Sequence, residues 1–440
     1  MNRPIQALTS ILSFPTISYP QRNLMDDEVF SGCVNALKRH YPLTFTQSSI
    51  VTFHKYTYLF HLKGSDNTFP IGLMGHYDVV PVSNTWSVPP FQGVQVNDYI
   101  YGRGALDMKG HLVAVFEAVE RHLETGLPFK QDLYIMMGHN EECSGEDPDS
   151  GAEAMMLYLK EKGIRLHLVI DEGGDVIDGS RLHVNEDIHV IGIGEKGYMD
   201  IRALVNDAGG HSSTPPPLSA LVGPMKLAVY VETHKFKPHL NEATASMLKR
   251  CAPYTVFPYS LIYRYPTLFK PFVFKSLLSD RKLAAHVRTT AVTTMAQGSA
   301  SMNVLPQIGW VNLNIRIAPH QRGQDIIDVL TKVKDSNVQL KYDFANEPTS
   351  ISHLDDGVFE EVVECFQTVY PQMKLVVPAL MIAATDARYM HDISDHVFRC
   401  CPFDSMKEDR HTVHADDERL SLASFEKGIS FFSKVLEKFV

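Results

Sequence analysis

No window of about 18 residues in this chain is free of both charge and turn formers, so no membrane-spanning helix is expected. The N-terminal "MNRPIQALTSILSFPTISYPQR" lacks the unbroken apolar centre of a secretory signal, because serine, threonine and proline interrupt it. Cysteine is sparse. The six present, Cys33, Cys143, Cys251, Cys365, Cys400 and Cys401, form no CxxC pair and no compact framework. That excludes a disulfide-stapled scaffold and points to a reducing cytoplasm. Positive charge is also in deficit: 41 Lys and Arg face 51 Asp and Glu, a formal net charge of −10. With no long basic run either, neither a nucleic-acid nor a membrane partner is expected. Internal repeats and low-complexity linkers are missing, so domain boundaries must come from changes in element pattern.

What remains is an ordinary globular composition, 44% hydrophobic and 21% charged. At 440 residues the chain exceeds the size at which one core stops growing, so two domains are expected. The first part alternates elements. A helical period runs over 108–123, the apolar strand "DLYIMMG" follows, then "GAEAMMLYLKEKG", a helix closed by Gly163, then the strand "LHLVI". Such alternation predicts an α/β fold, a mixed, mostly parallel sheet flanked by helices. From Lys196 the pattern changes to alternating strands, "YMDIRALV" and "GWVNLNIRIA", around a proline-broken region. We therefore expect a catalytic domain in two parts, 1–195 and 319–440, with an α+β domain, 196–318, inserted between them. The aromatic stretch "YTVFPYSLIYRYPTLFKPFVFKSLL" is expected to pack inside that middle domain, with a lipophilic substrate contact as the alternative.

Loops beyond the carboxyl ends of strands in an open α/β sheet bind ligands. His76 and Asp78 close the apolar run of "GLMGHYDVVPV"; Asp107 stands in "YGRGALDMKG" before a helix; Glu141 and Glu142 follow "DLYIMMGHN"; Asp171 and Glu172 follow "LHLVI". One histidine and several carboxylates at successive strand ends suggest a metal site of mixed nitrogen and oxygen ligands, which suits zinc. Each element alone has a plainer reading. A buried histidine is usually a satisfied structural one, an aspartate before a helix is a cap, and a glutamate pair is solvated. Their convergence is what points to a site. Asp78 lies two residues beyond His76 in extended chain, so its carboxylate can accept the histidine's other ring N–H and orient it.

Together "GHYDVVPVSNTWSVPPFQG", "YGRGALDMKG", "EEC" with "SGAEA", "VIDEGG", "GGHSS", "MNVLP", "TDARYM" and "HADDERL" resemble the successive motifs of the aminoacylase and carboxypeptidase S family of dinuclear zinc hydrolases. Succinyl-diaminopimelate desuccinylase belongs to the same family. The motifs stand in family order from 72 to 420, and the tryptophan, the "PPF" and the long middle region are most like the carboxypeptidase S branch.

The resemblance implies a fold with an inserted lid and dimerisation domain, and a site of two Zn2+, with Co2+ or Mn2+ also able to fill it. His76 and Asp171 would bind one ion, Glu142 and His414 the other, and Asp107 would bridge them. Glu172 is an alternative to Asp171, and His411 to His414, whose spacing to Glu418 matches the family's. Glu141 would be the general base. His211 would reach the partner's site across a dimer interface, while Asn303 and Arg316 would hold the substrate's carbonyl and carboxylate. Asn140 stands where the family has an acidic residue, Ala384 where it has glycine, and "CSGEDPDSGA" is longer than usual. The implied activity is cleavage of an amide beside a free α-carboxylate, as a carboxypeptidase or dipeptidase on short peptides, or alternatively an N-acyl-amino-acid deacylase. A non-catalytic metal-binding or dimeric binding protein is the reading from another class. It would be favoured by lost carboxylates, and none is lost.

Overall fold

The strand Asp66–His76 is exposed over its first four residues and buried over its last seven, and the larger unit is built around that buried end. In the computed structural model, residues 2–83, 85–143, 150–404 and 406–440 are described. The long "CSGEDPDSGA" segment falls mainly on 144–149, outside them. The chain divides into two units. One comprises Met1–Ile193, Ser352–Pro378 and Thr385–Val440; the other comprises Gly194–Ile351 and Ala379–Ala384.

Among the described residues, the larger unit holds a nine-stranded sheet. Its order is Ser49–Phe53, Thr57–Leu62, Gln131–Gly138, Asp66–His76, Leu168–Asp171, Val397–Arg399, Ile188–Glu195 and Leu375–Met381, with Asp175–Ile177 paired beside Ile188–Glu195. The centre is parallel: Asp66–His76 runs with both Gln131–Gly138 and Leu168–Asp171, and the latter with Val397–Arg399. These strands are buried almost throughout, as parallel strands covered on both faces must be. The helix Lys109–Glu124 buries residues all round, between the sheet and the helix Leu422–Phe439. The helix Gly151–Glu161 starts where the Ser150 side chain accepts the Glu153 N–H. It ends before Gly163, whose φ of +69° is one a side chain would resist. Its Met155, Met156 and Leu159 fill a core with Met74, Met136 and Val169.

The smaller unit is an antiparallel sheet in the order Thr290–Gln297, Ile308–Ile317, Gly197–Asn206, Gln339–Asn346. Met199, Ile201 and Ala203 alternate inward with Leu313 and Ile315, against helices Val222–Thr233 and Gly323–Val333. This unit continues past 318, the boundary drawn from the sequence. Gln339–Asn346 hydrogen-bonds along Gly197–Asn206, from Leu204 opposite Gln339 to Tyr198 opposite Asn346. The helix Gly323–Val333 then puts Ile326 and Leu330 into the same core. The aromatic stretch is only half internal. Ile262, Tyr263, Val273 and Leu277 are buried, whereas Phe257, Leu261, Tyr265, Leu268 and Phe272 are exposed.

Candidate metal centre

Three adjacent parallel strands end at one edge of the larger unit's sheet, and each delivers an acidic or imidazole group there. His76 closes the middle strand, Glu141 and Glu142 follow Gln131–Gly138, and Glu172 follows Leu168–Asp171. Asp107 enters from the turn before Lys109–Glu124, through a cis peptide to Met108.

His76 is 2% exposed. Its Nδ1 lies 3.1 Å from the Asp78 carbonyl oxygen and 3.3 Å from Asp78 Oδ1. Both oxygens only accept, so Nδ1 carries the proton and Nε2 is left with a lone pair in the neutral ring. Nε2 is buried without a hydrogen-bond partner, 3.2 Å from Glu172 Oε1, 3.4 Å from Asp107 Oδ1 and 3.9 Å from Glu141 Oε2. Positive charge belongs among these three carboxylates, as a proton on the ring when the site is empty or as a metal ion that takes the lone pair. Burial works against a proton there, yet Glu172, Asp107 and Asp78 hold the imidazole well above its ordinary range.

The second half of the cluster repeats the pattern. His414 Nε2 lies 3.1 Å from Asp107 Oδ2 and 3.0 Å from Glu142 Oε1, and its pKa is pushed up to about 10 by hydrogen bonds to Asp107 and Glu142. Asp107 therefore turns one oxygen to each histidine. Against its burial, His414 and His76 hold it below the usual carboxylate range. Burial raises Glu142, with Asp107 adding to the rise and His414 opposing it. His414 takes a left-handed backbone, φ +59°, a conformation that costs a non-glycine residue energy and recurs at functional sites.

Glu141 faces the same space. Burial, opposed by His76 and reinforced by Glu172, Glu142 and Asp386, holds its carboxyl well above the ordinary range. That suits a group that must take and return a proton near neutral pH. Asp78, fully buried, accepts from Ser18 Oγ and from the backbone N–H groups of Glu141 and Glu142, at 3.3 and 3.0 Å. It thus fixes the ring of His76 and the chain carrying both glutamates.

Of the two open pairs, the geometry brings Glu172 and His414 into the cluster. Asp171, favoured from the sequence, is turned away: its Oδ2 accepts the Ala387 N–H at 3.0 Å. It sits behind the site beside Asp386, which burial and Asp171 push up to about 7. His411 points elsewhere, its Nδ1 2.9 Å from the Glu408 carbonyl oxygen. Asn140, the departure before the glutamates, accepts the Gly151 N–H and so anchors the next helix.

One contributor, singled out from the sequence only by its spacing from His414, has a role that the sequence does not state. Glu418, fully buried, accepts from Arg103 Nη1 at 2.7 Å and from the N–H groups of Gly104, Leu106 and Asp107 at 2.9 to 3.0 Å. It shapes the turn that presents Asp107, and the guanidinium it holds also lies over Trp86. The smaller unit has an unusual group of its own, Lys196. It is buried, donates to the carbonyls of Ala285 and Arg288, and is brought down to about 7 by burial and the charges of Arg316 and Arg288.

The smaller unit brings His211 and Asn303 together. Both line one open cavity of about 560 Å³, and the Asn303 carbonyl accepts the Ser212 N–H at 3.0 Å. The His211 ring is fixed through Nδ1, 2.7 Å from Ser213 Oγ. Arg316 is not in that cavity; it stands opposite Tyr198 in the sheet with its guanidinium 4.5 Å from the ring centre.

Residues 72–438 match the model of Peptidase family M20/M25/M40. The chain is 30% identical to the N-fatty-acyl-amino acid synthase/hydrolase PM20D1 of Mus musculus, over 98% of this chain and 87% of the relative. It is also 30% identical to the probable carboxypeptidase S-like 2 of Dictyostelium discoideum, over 98% and 84%. Among solved structures, the M20 family metallo-carboxypeptidase Sso-CP2 from Sulfolobus solfataricus superposes with a TM-score of 0.70 at 17% identity, over 100% of this chain and 99% of that one. Human carnosine dipeptidase 1 does so with a TM-score of 0.63 at 15% identity, over 99% and 95%.

Proposed function

Given that this chain belongs to peptidase family M20/M25/M40 and is a hydrolytic metalloenzyme, we propose that it cleaves an amide bond beside a free α-carboxylate, releasing the C-terminal residue of a short peptide. The observation that carries this reading is the buried, partnerless His76 Nε2 facing Glu172, Asp107 and Glu141, with His414, Asp107 and Glu142 repeating the arrangement next to it. These donors fit two divalent ions. His76 and Glu172 would hold one, His414 and Glu142 the other, and Asp107 both; nitrogen and oxygen donors suit Zn2+, with Co2+ or Mn2+ alternatives. Such a pair supplies Lewis-acid polarisation of the scissile carbonyl and activation of water.

The chain's own groups do the rest. Glu141 takes the proton of the attacking water and returns it to the departing amine. Asp78 keeps His76 and both glutamates in place. Arg316 holds the substrate carboxylate by a guanidinium fork, and Asn303 and His211 donate to the carbonyl oxygen as charge develops there. His211 serves the second subunit of a homodimer. Support for that subunit comes from the edge strand Thr290–Gln297, which leaves Val292 and Met295 exposed. The six cysteines are free thiols, five of them buried, in keeping with a reducing cytoplasm.

An N-acyl amino acid in place of the peptide is the second reading, favoured by the name of the Mus musculus relative. It uses the same carboxylate grip and proton transfers and differs only in the acyl group. A panel of dipeptides, N-acyl amino acids and their C-terminal amides, assayed with added zinc, tests both. Turnover of the acids but not the amides is expected, and equal turnover of the amides would refute the carboxylate requirement. Glu141→Ala should lose at least about 100-fold in kcat while retaining the parent's metal content.

A further inference from the structure

The exposed half of the aromatic stretch has its own order. Phe257, Leu261, Tyr265, Leu268 and Phe272 recur at steps of four and three residues, the spacing of one side of a helix. Two short helices, Tyr259–Arg264 and Lys270–Leu277, carry the stretch, with the chain leaving helical geometry at Tyr265 (φ −126°, ψ 58°) and turns linking them, Phe269 N–H donating to Tyr265 and Val273 N–H to Phe269. The exposed groups therefore form one surface across two helices, with Phe257 just before the first. The opposite side, Ile262, Tyr263, Val273 and Leu277, is buried. Phe257 is left 79% exposed and Leu268 75%, a stripe that no described residue of the chain covers.

Its charge is as unusual. Between Lys249 and Lys282 there are seven basic residues and one acidic, in a chain whose net charge is −10. Arg264, Lys270 and Lys275 are exposed among the apolar groups. An apolar face carrying aromatic and leucine side chains, bordered by cations, is the pattern of a helix that lies in the boundary of an anionic bilayer. A second copy applied through the same face would oppose like charges, because a two-fold contact pairs each patch with itself. No helix among the described residues is long and apolar enough to cross a membrane, and lateral attachment requires none.

We propose that this helical face of the smaller unit docks the enzyme on anionic lipid surfaces, with Phe257, Leu261, Tyr265, Leu268 and Phe272 entering the headgroup boundary and Arg264, Lys270 and Lys275 meeting lipid phosphates and carboxylates. The test is co-sedimentation of the full chain with phosphatidylcholine vesicles, with and without phosphatidylserine. The chain should pellet with the mixed vesicles only, and should be released at about 0.5 M salt, where screening falls within a few ångströms. Lys270→Glu with Lys275→Glu should weaken partitioning by at least about 30-fold, as each basic residue at such a surface is worth roughly fivefold. Phe257→Asp with Leu268→Asp should abolish it with circular dichroism and melting unchanged, since both side chains are already solvated. Failure of the parent to pellet, or equal pelleting with neutral vesicles, would overturn the proposal. So would an oligomer that the Phe257→Asp, Leu268→Asp variant dissociates while the parent ignores vesicles, which would make the face a protein interface.

Discussion

Replacing Glu418 by alanine should be among the most damaging single changes in the larger unit, although this residue is no metal ligand in our reading. Its carboxylate is fully buried and its partner Arg103 is 2% exposed, so truncation strands a guanidinium in the interior. Breaking a buried pair from one side costs about 3–5 kcal/mol. The N–H groups of Gly104, Leu106 and Asp107 lose their acceptor as well, at about 1–3 kcal/mol for each that water cannot reach. These terms overlap, so we expect a loss of at least about 4 kcal/mol from a domain stability of order 5–15 kcal/mol. Glu418→Gln should be nearly as harmful, because its amide N–H2 must face groups that are themselves donors. The assay is urea unfolding of metal-free protein, so that bound ions do not mask the change, with metal content measured in parallel. Asp392→Ala is the control: it breaks an exposed pair with Lys160 and should leave the midpoint where it was. A Glu418→Ala variant within about 1 kcal/mol of the parent would refute the argument that this carboxylate organises the Asp107 turn.

Four other perturbations separate the roles assigned around the metal centre. His414 has a raised pKa, so in the metal-free protein its stabilisation is complete below the unfolded value near 6.5 and is lost as pH rises through about 10. Melting temperature should fall over that window in the parent and stay flatter in His414→Ala; identical slopes would contradict the pairing with Asp107 and Glu142. The same raised affinity for protons means that zinc binding should release them, read by calorimetry as a binding enthalpy that varies with the buffer's ionisation heat, and a buffer-independent enthalpy would count against it. Asp78→Asn should leave a metal-binding protein whose affinity or kcat drops roughly 10–100-fold, while His76→Ala should lose bound metal outright. His411→Ala should match the parent in metal content, and a loss equal to that of His414→Ala would reverse the choice between them.

The strand ends that carry the metal centre were legible because parallel strands buried on both faces read as continuous apolar runs, and whatever polar residue follows must sit at the edge. That logic places His76, Glu141 and Glu142 without long-range information, while Asp107 was read from its place in the turn before a helix. It fails between Asp171 and Glu172. Adjacent residues at a strand end point opposite ways, and which of them faces the site depends on the register of Leu168–Asp171 against Asp66–His76, where Ile170 lies opposite Leu73. The end of the inserted unit was hidden for a similar reason. The helical period of Gly323–Val333 is plain in the sequence, but the core it joins is decided by Gln339–Asn346 pairing with a strand more than a hundred residues earlier. Glu418 was visible only as a spacing from His414, and its role is beyond any local pattern, since its four donors lie more than three hundred positions upstream. The outward half of the aromatic stretch was missed because composition says only that aromatics pack. The four-three spacing of Phe257, Leu261, Tyr265, Leu268 and Phe272 was there to be read, but nothing in it says which side of the helix faces water.

The sheet's strand order also governs when this protein can become active during its synthesis. Val397–Arg399 lies between Leu168–Asp171 and Ile188–Glu195, so the ribosome must pass residue 399 before the centre of the sheet can close. His414 and Glu418 emerge later still. A nascent chain holding His76, Asp107 and both glutamates still lacks the imidazole of the second half-site and the carboxylate that shapes the Asp107 turn. In our reading, hydrolytic capacity therefore waits for residue 418, and a chain interrupted before it lacks part of the site.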